Sequence, residues 1–63
     1  MQNKIEQLRK DKGLTQADLA KACNVTRQTV NAIENNKYDP TLQLAFSLSK
    51  ILNTEVDKLF TPD

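Results

Sequence analysis

The sequence has no histidine, one glycine and one cysteine among its 63 residues, and each scarcity closes off a class of function. Without histidine, and without carboxylates paired in an apolar setting, the usual proton-transfer and nucleophile-activating groups are missing. With Gly13 alone, there is no glycine-rich loop to cradle a phosphate. Cys23 alone makes no internal disulfide, and no Cys/His cluster is present to hold zinc. No apolar run reaches membrane-spanning length, and the amino terminus, MQNKIEQLRK, is charged throughout and unlike a signal peptide. So small a fold is also expected to lack a substrate pocket of about 300 Å³ or more. These absences lead us to expect a cytoplasmic non-enzyme with no metal, cofactor or small-molecule ligand.

What is present is a helical pattern. A single all-α domain of five helices is expected over residues 1–63, because a chain of this length has too little surface to bury for more than one core. The first helix runs from about Asn3 to Lys12, with Ile5 and Leu8 inward and Gly13 as its stop. Thr15 opens the second, with Asp18 three residues on in the manner of a capping box. The third runs from about Arg27 to Asn35. After the turn at Tyr38-Asp39-Pro40-Thr41, a fourth extends to about Leu52. Its apolar residues Leu42, Leu44, Ala45, Phe46, Leu48, Ile51 and Leu52 cover more than one face, which predicts burial on two sides. Thr54 and Asp57 resemble a further capping box, opening a short last helix with Val56, Leu59 and Phe60 as its stripe. No strand pattern is found.

Residues 15–35, TQADLAKACNVTRQTVNAIEN, have the form of two short helices joined by a tight turn. Leu19, Cys23, Val25, Val30 and Ile33 fall on the facing sides, and Ala20 is small where the axes pass. Asn24 stands where the chain reverses, and asparagine tolerates the left-handed backbone such a turn needs. Thr26 restarts the helix as an N-cap. This is a helix-turn-helix pattern, whose second helix enters the DNA major groove. Arg27, Gln28 and Asn31 face outward near the start of that helix and carry side chains able to read base edges. Charge supports the assignment modestly. The net charge is +1, but residues 1–37 carry seven basic side chains against four acidic, and residues 38–63 carry two against four.

The chain resembles the lambda-repressor/Cro-type, or XRE, helix-turn-helix family in its compact stand-alone form. The matching residues are Leu8-Arg9, Gly13-Leu14-Thr15-Gln16, Leu19-Ala20, Val25-Thr26-Arg27-Gln28-Thr29-Val30, Ile33-Glu34-Asn35, Lys37-Tyr38, Pro40, Leu42, Leu44-Ala45 and Leu59-Phe60. The resemblance implies a sequence-specific regulator of transcription, most simply a repressor of a palindromic operator. It places Arg27, Gln28 and Asn31 on bases, where Arg27 suits guanine and Gln28 adenine. It places Gln16, Thr26, Thr29, Asn35, Lys37 and Tyr38 on the phosphate backbone, with the N–H groups opening helix two adding to the Gln16 site. It further implies an Arg9–Glu34 ion pair tying helix one to the end of helix three. Two departures are Asn24, where the family usually has glycine, and Cys23, where a larger aliphatic residue is common.

Several residues carry a plainer reading beside the functional one. Cys23 reads as a small buried hydrophobe. Lys4, Lys10, Lys12 and Lys21 read equally as a solvated face, Tyr38 as packing over its loop, and Thr29 as a helix-backbone residue. A protein-interaction module on the same fold, such as an antitoxin or bridging factor, is the competing function. Polar Arg, Gln, Thr and Asn on the recognition face favour double-stranded DNA instead. One such small domain offers few contacts, so a homodimer is expected, with Ile51, Leu52, Val56, Leu59 and Phe60 as the candidate interface.

Overall fold

The computed structural model describes residues 1–63. It contains β1 (Gln2–Asn3), α1 (Ile5–Asp11), α2 (Gln16–Ala22), α3 (Arg27–Glu34), α4 (Leu42–Ile51), α5 (Val56–Leu59) and β2 (Phe60–Thr61). The five expected helices are present around one core. That core comprises Ile5, Leu19, Ala20, Val30, Ile33, Leu44, Ala45, Leu48, Leu52, Leu59 and Phe60. Leu8, Cys23, Val25, Ile51 and Val56 pack against it half-buried.

Local chemistry sets the helix starts. Thr15 Oγ1 accepts from the Asp18 N–H at 3.0 Å while Asp18 Oδ2 accepts from the Thr15 N–H at 2.9 Å, a complete capping box. These bonds from Thr15, helped by Lys21, hold the Asp18 carboxyl below the usual carboxylate range. Thr26 Oγ1 caps α3 by accepting from Thr29 N–H at 3.2 Å, and Thr41 Oγ1 caps α4 from Leu44 N–H at 3.2 Å.

The helix ends share one device. Gly13, Asn24, Asn36 and Asn53 all have φ between 57° and 72°, the left-handed region. Each stands just past a helix, and the residue after it returns an N–H to the carbonyl five positions back. These are Leu14 to Arg9, Val25 to Ala20, Lys37 to Ala32 and Thr54 to Ser49, each at 2.9 Å. That is the Schellman arrangement, which satisfies carbonyls a helix end leaves unpaired. Thr54 is therefore part of the α4 ending and does not open α5. Glu55 occupies the α5 cap position, with no side-chain capping bond, so the expected Thr54/Asp57 capping box is not formed.

Two further expectations are corrected. The chain ends form a two-stranded antiparallel pairing, Gln2 opposite Thr61 and Asn3 opposite Phe60, continued by Lys4 N–H to the Leu59 carbonyl at 3.0 Å. Helix α1 accordingly starts at Ile5, later than the sequence suggested. Asn3 does three jobs there: its Oδ1 accepts from Ile5 N–H, and its Nδ2 donates to the Ile33 carbonyl and to Asn36 Oδ1. Helix α4 is also buried on one side only. Leu44, Ala45, Leu48 and Ser49 face inward, whereas Leu42 and Phe46 are 69% and 58% exposed.

Candidate nucleic-acid interface

The two helices of the motif meet through Leu19 and Ala20 of α2 and Val30 and Ile33 of α3, all buried. This packing fixes which side of α3 is left outside. Arg27, Gln28 and Asn31 are exposed there, as the periodicity predicted. The first turn of α3 holds no acidic residue, so nothing opposes an anion at its positive end. Arg27 and Gln28 make no side-chain hydrogen bond within the chain, leaving every donor and acceptor free for a ligand.

Gln16 and Asn31 differ from that pair, because both are held in place. Arg9 donates from Nε to Glu34 Oε2 at 2.8 Å and from Nη2 to Oε1 at 3.2 Å, and its Nη1 donates to the Leu14 carbonyl at 2.8 Å. The Glu34 side chain is only 2% exposed, so this is a buried, two-pronged ion pair. The hydrogen bonds to Glu34 raise the Arg9 pKa above its ordinary value and keep the guanidinium charged. Gln16 Nε2 then donates to Glu34 Oε1 at 3.1 Å, and Asn31 Nδ2 donates to Gln16 Oε1 at 3.4 Å. The polar chain thus runs from the core out to the surface of α3. Sequence reasoning found the Arg9–Glu34 link through the family resemblance but missed Glu34 as an acceptor for Gln16. Eighteen residues separate the two, and no local pattern connects them.

The remaining backbone-contact candidates are distributed around this centre. Thr26 and Thr29 hydroxyls lie 3.0 Å apart and bond to each other, with Thr29 half-buried. Asn35 donates from Nδ2 to the Asn31 carbonyl at 2.9 Å and to Asn31 Oδ1 at 3.3 Å. A phosphate contact from the Asn35 amide therefore requires release of one of these bonds. Lys37 and Tyr38 are exposed on the loop after α3, Tyr38 by 49%. An open groove of about 370 Å³ brings Arg27 together with Gln16, Ala17, Thr15 and Lys10. Lys10 thereby joins the edge of the face, a placement the sequence left open between phosphate contact and solvated surface.

Concavities of several hundred Å³ do exist, contrary to the sequence expectation, but as open grooves; that between α4 and α5 is about 540 Å³. Cys23 is half-buried beside the turn, and burial pushes its thiol pKa up, which suppresses thiolate. No group of three or more Cys, Asp or Glu side chains is arranged to hold a metal ion. No helix is long and apolar enough to cross a membrane. The candidate dimer residues divide sharply. Leu52, Leu59 and Phe60 are buried in the protomer's own core, while Ile51 and Val56 remain half-exposed.

Comparison with known proteins agrees with this geometry. Residues 5–59 match the model of a helix-turn-helix family. Over 60 residues the chain is 47% identical to an uncharacterized HTH-type transcriptional regulator of Methanocaldococcus jannaschii, covering 95% of this chain and 91% of the relative. It is 40% identical over 60 residues to the HTH-type regulator YgzD of Bacillus subtilis, with the same two coverages of 95% and 91%. The restriction-modification controller protein C.AhdI of Aeromonas hydrophila superposes with a TM-score of 0.81 at 30% identity, covering 89% of this chain and 85% of that one. The N-terminal DNA-binding domain of SinR from Bacillus subtilis gives a TM-score of 0.81 at 30% identity, covering 94% and 87%. A capped helix-turn-helix with an unengaged Arg27-Gln28 pair, matched in sequence and in fold across nearly its whole length, identifies the chain as a member of the XRE-type (lambda-repressor/Cro-like) helix-turn-helix family of transcriptional regulators.

Proposed function

We propose that the protein is a cytoplasmic repressor that binds a palindromic operator as a homodimer, placing α3 of each protomer in the major groove. The observation that carries this reading is the pair Arg27 and Gln28, exposed and unengaged at the start of a helix whose other face is locked to the core. Arg27 suits a guanine through O6 and N7, and Gln28 an adenine through N6 and N7. Asn31 arrives already oriented by Gln16, which lowers the entropy lost on binding. Gln16, Lys37, Tyr38 and the threonine pair at 26 and 29 are assigned to phosphates, which set register without reading sequence.

A single module of this kind buries only about 600–1,000 Å² on DNA, and two-fold symmetry doubles it. Two recognition helices then lie one helical turn apart, about 34 Å. Occupancy of such a site excludes polymerase, hence repression. Selection of bound duplexes from a random pool, with solution mass measured alongside, tests the reading. A two-fold consensus bound by a dimer is the expected result. An absence of enrichment would mean that α3 faces a protein, the role of an antitoxin or bridging factor.

A further inference from the structure

The loop after α3 carries two of the assigned phosphate contacts, Lys37 and Tyr38, and has little structure of its own to hold them. Both side chains are exposed, as is Asp39 beside them. Lys37 N–H bonds back to the Ala32 carbonyl at 2.9 Å, and Thr41 at the far end caps α4 through Leu44 N–H. Between these anchors, Tyr38, Asp39 and Pro40 make no backbone hydrogen bond within the chain. The course of the loop is therefore set at its ends, and the near end is Asn36, in the left-handed region at φ 61°.

Asn36 is gripped from outside the helix-turn-helix. Asn3 Nδ2 donates to Asn36 Oδ1 at 3.1 Å, and Asn36 Nδ2 donates to Gln2 Oε1 at 3.2 Å. The same Asn3 amide donates to the Ile33 carbonyl, in the last turn of α3, at 2.8 Å. That carbonyl also accepts from the Asn36 N–H at 3.0 Å, so the helix ending and the strand β1 meet at one oxygen. Asn3 is fixed in turn from behind. Its Oδ1 accepts from Ile5 N–H at 3.1 Å, and its backbone lies opposite Phe60 in the β1–β2 pairing. Ile5 and Phe60 are both buried in the core. A half-buried side chain thus relays the position of the core to the start of the loop. The task needs an amide, one acceptor for Ile5 together with two hydrogens for Ile33 and Asn36.

We propose that Asn3 is a positioning residue for DNA binding, holding the end of α3 and Asn36 so that Lys37 and Tyr38 are placed before they meet the phosphate backbone. This role deepens the DNA reading above and rests on it. Ordering a loop at the moment of binding costs affinity, so a loop placed beforehand binds more tightly. The supported contacts are to phosphates, so the gain is the same on every sequence. Asn3 acts only through the loop, in contrast to Gln16 and Asn31, which lie on the recognition face themselves.

The test measures binding to the duplex recovered by selection and to a random-sequence duplex, with helical content and melting temperature followed by circular dichroism. Asn3→Ser keeps a short oxygen for the Ile5 N–H but cannot reach Ile33 or Asn36. It should weaken both duplexes alike, by about three- to tenfold, the net contribution of one hydrogen bond. In a Lys37→Ala background the same change should cost less than it does alone, because the loop then has one contact fewer to place. Asn36→Gly breaks the link without strain, since glycine adopts φ 61° freely. It should melt no lower than the unsubstituted chain and still weaken both duplexes; if Asn3→Ser disturbs the fold, this variant decides alone. Full affinity in Asn36→Gly would overturn the proposal. So would losses from Asn3→Ser and Lys37→Ala that simply multiply, or a loss confined to the selected duplex. Failure of the DNA reading is seen separately, as an unsubstituted chain that binds neither duplex, and it would remove this role with it.

Discussion

Helices α3 and α4 are both amphipathic and both lend one face to the same core, yet they leave opposite kinds of side chain outside. The outer face of α3 carries Arg27, Gln28 and Asn31; that of α4 carries Leu42 and Phe46. Behind α3, hydrogen bonds run inward from Asn31 through Gln16 to the buried Glu34–Arg9 pair. Behind α4 the one buried polar side chain, Ser49, is unpartnered. One face is polar, with Asn31 held in position and Arg27 and Gln28 unengaged, which suits hydrogen-bonded recognition of a fixed lattice such as a base-pair edge. The other is apolar and lies open to solvent.

The largest expected effect breaks the support of the polar face. Arg9→Ala leaves the Glu34 carboxylate buried without its cation, a loss of about 3–5 kcal/mol. A domain of this size is stable by roughly 3–9 kcal/mol in total, so urea titration should find the variant largely unfolded or close to it. Phe46→Ala, on the exposed side of α4, should by contrast change protomer stability by less than about 0.5 kcal/mol. Comparable losses from the two would erase the distinction drawn between the faces.

Within the polar face, Arg27→Ala should cost about 1–3 kcal/mol on the selected operator and relax preference at one base position. Lys37→Ala should weaken all duplexes alike and lower the salt slope by about one. Equal, sequence-blind losses from both would move Arg27 from the bases to the phosphates.

Smaller effects are expected where both halves use the same helix ending. Asn24→Gly should stabilise the fold by several tenths to about 1 kcal/mol, since glycine has no Cβ to strain at positive φ. Asn53→Ala should destabilise by about 1 kcal/mol or more, because alanine resists that conformation. Thermal denaturation reads both, and opposite signs are required.

The smallest effect is a pH dependence from Asp18. Its pKa is lowered in the fold, so the stability it contributes is present above the ordinary aspartate range and is lost as pH falls through the folded value. Midpoints measured from neutral pH down into the acid range should show this part of the fall in the unsubstituted chain and lack it in Asp18→Asn.

Much of this was legible because it is local. Thr15 with Asp18, Thr26 before Arg27 and Asn24 at the turn each declare themselves within three or four residues, and the structure uses them as read. The exposed Arg27-Gln28 pair follows from helical periodicity alone. What escaped is non-local or contradicts its own pattern. The strands at Gln2–Asn3 and Phe60–Thr61 are too short to alternate, and their pairing depends on where the chain ends meet. Asn36 and Asn53 end helices with the same backbone as Asn24, but no apolar register flagged the turns they make. Leu42 and Phe46 read as core because hydrophobicity alone does not say which apolar side chains the fold leaves exposed.

The three asparagines that end helices also govern how this molecule ages. An asparagine converts to a succinimide, and then to aspartate or isoaspartate, when the backbone nitrogen of the following residue attacks its side-chain amide carbon. At Asn24, Asn36 and Asn53 the attacking nitrogens belong to Val25, Lys37 and Thr54, and each is tied into the preceding helix by a 2.9 Å hydrogen bond. The cap that closes the helix thus restrains the very atom that would begin the damage. Deamidation at these sites then proceeds only as fast as the caps open, so mass spectrometry of stored protein would report local unfolding, one dalton at a time.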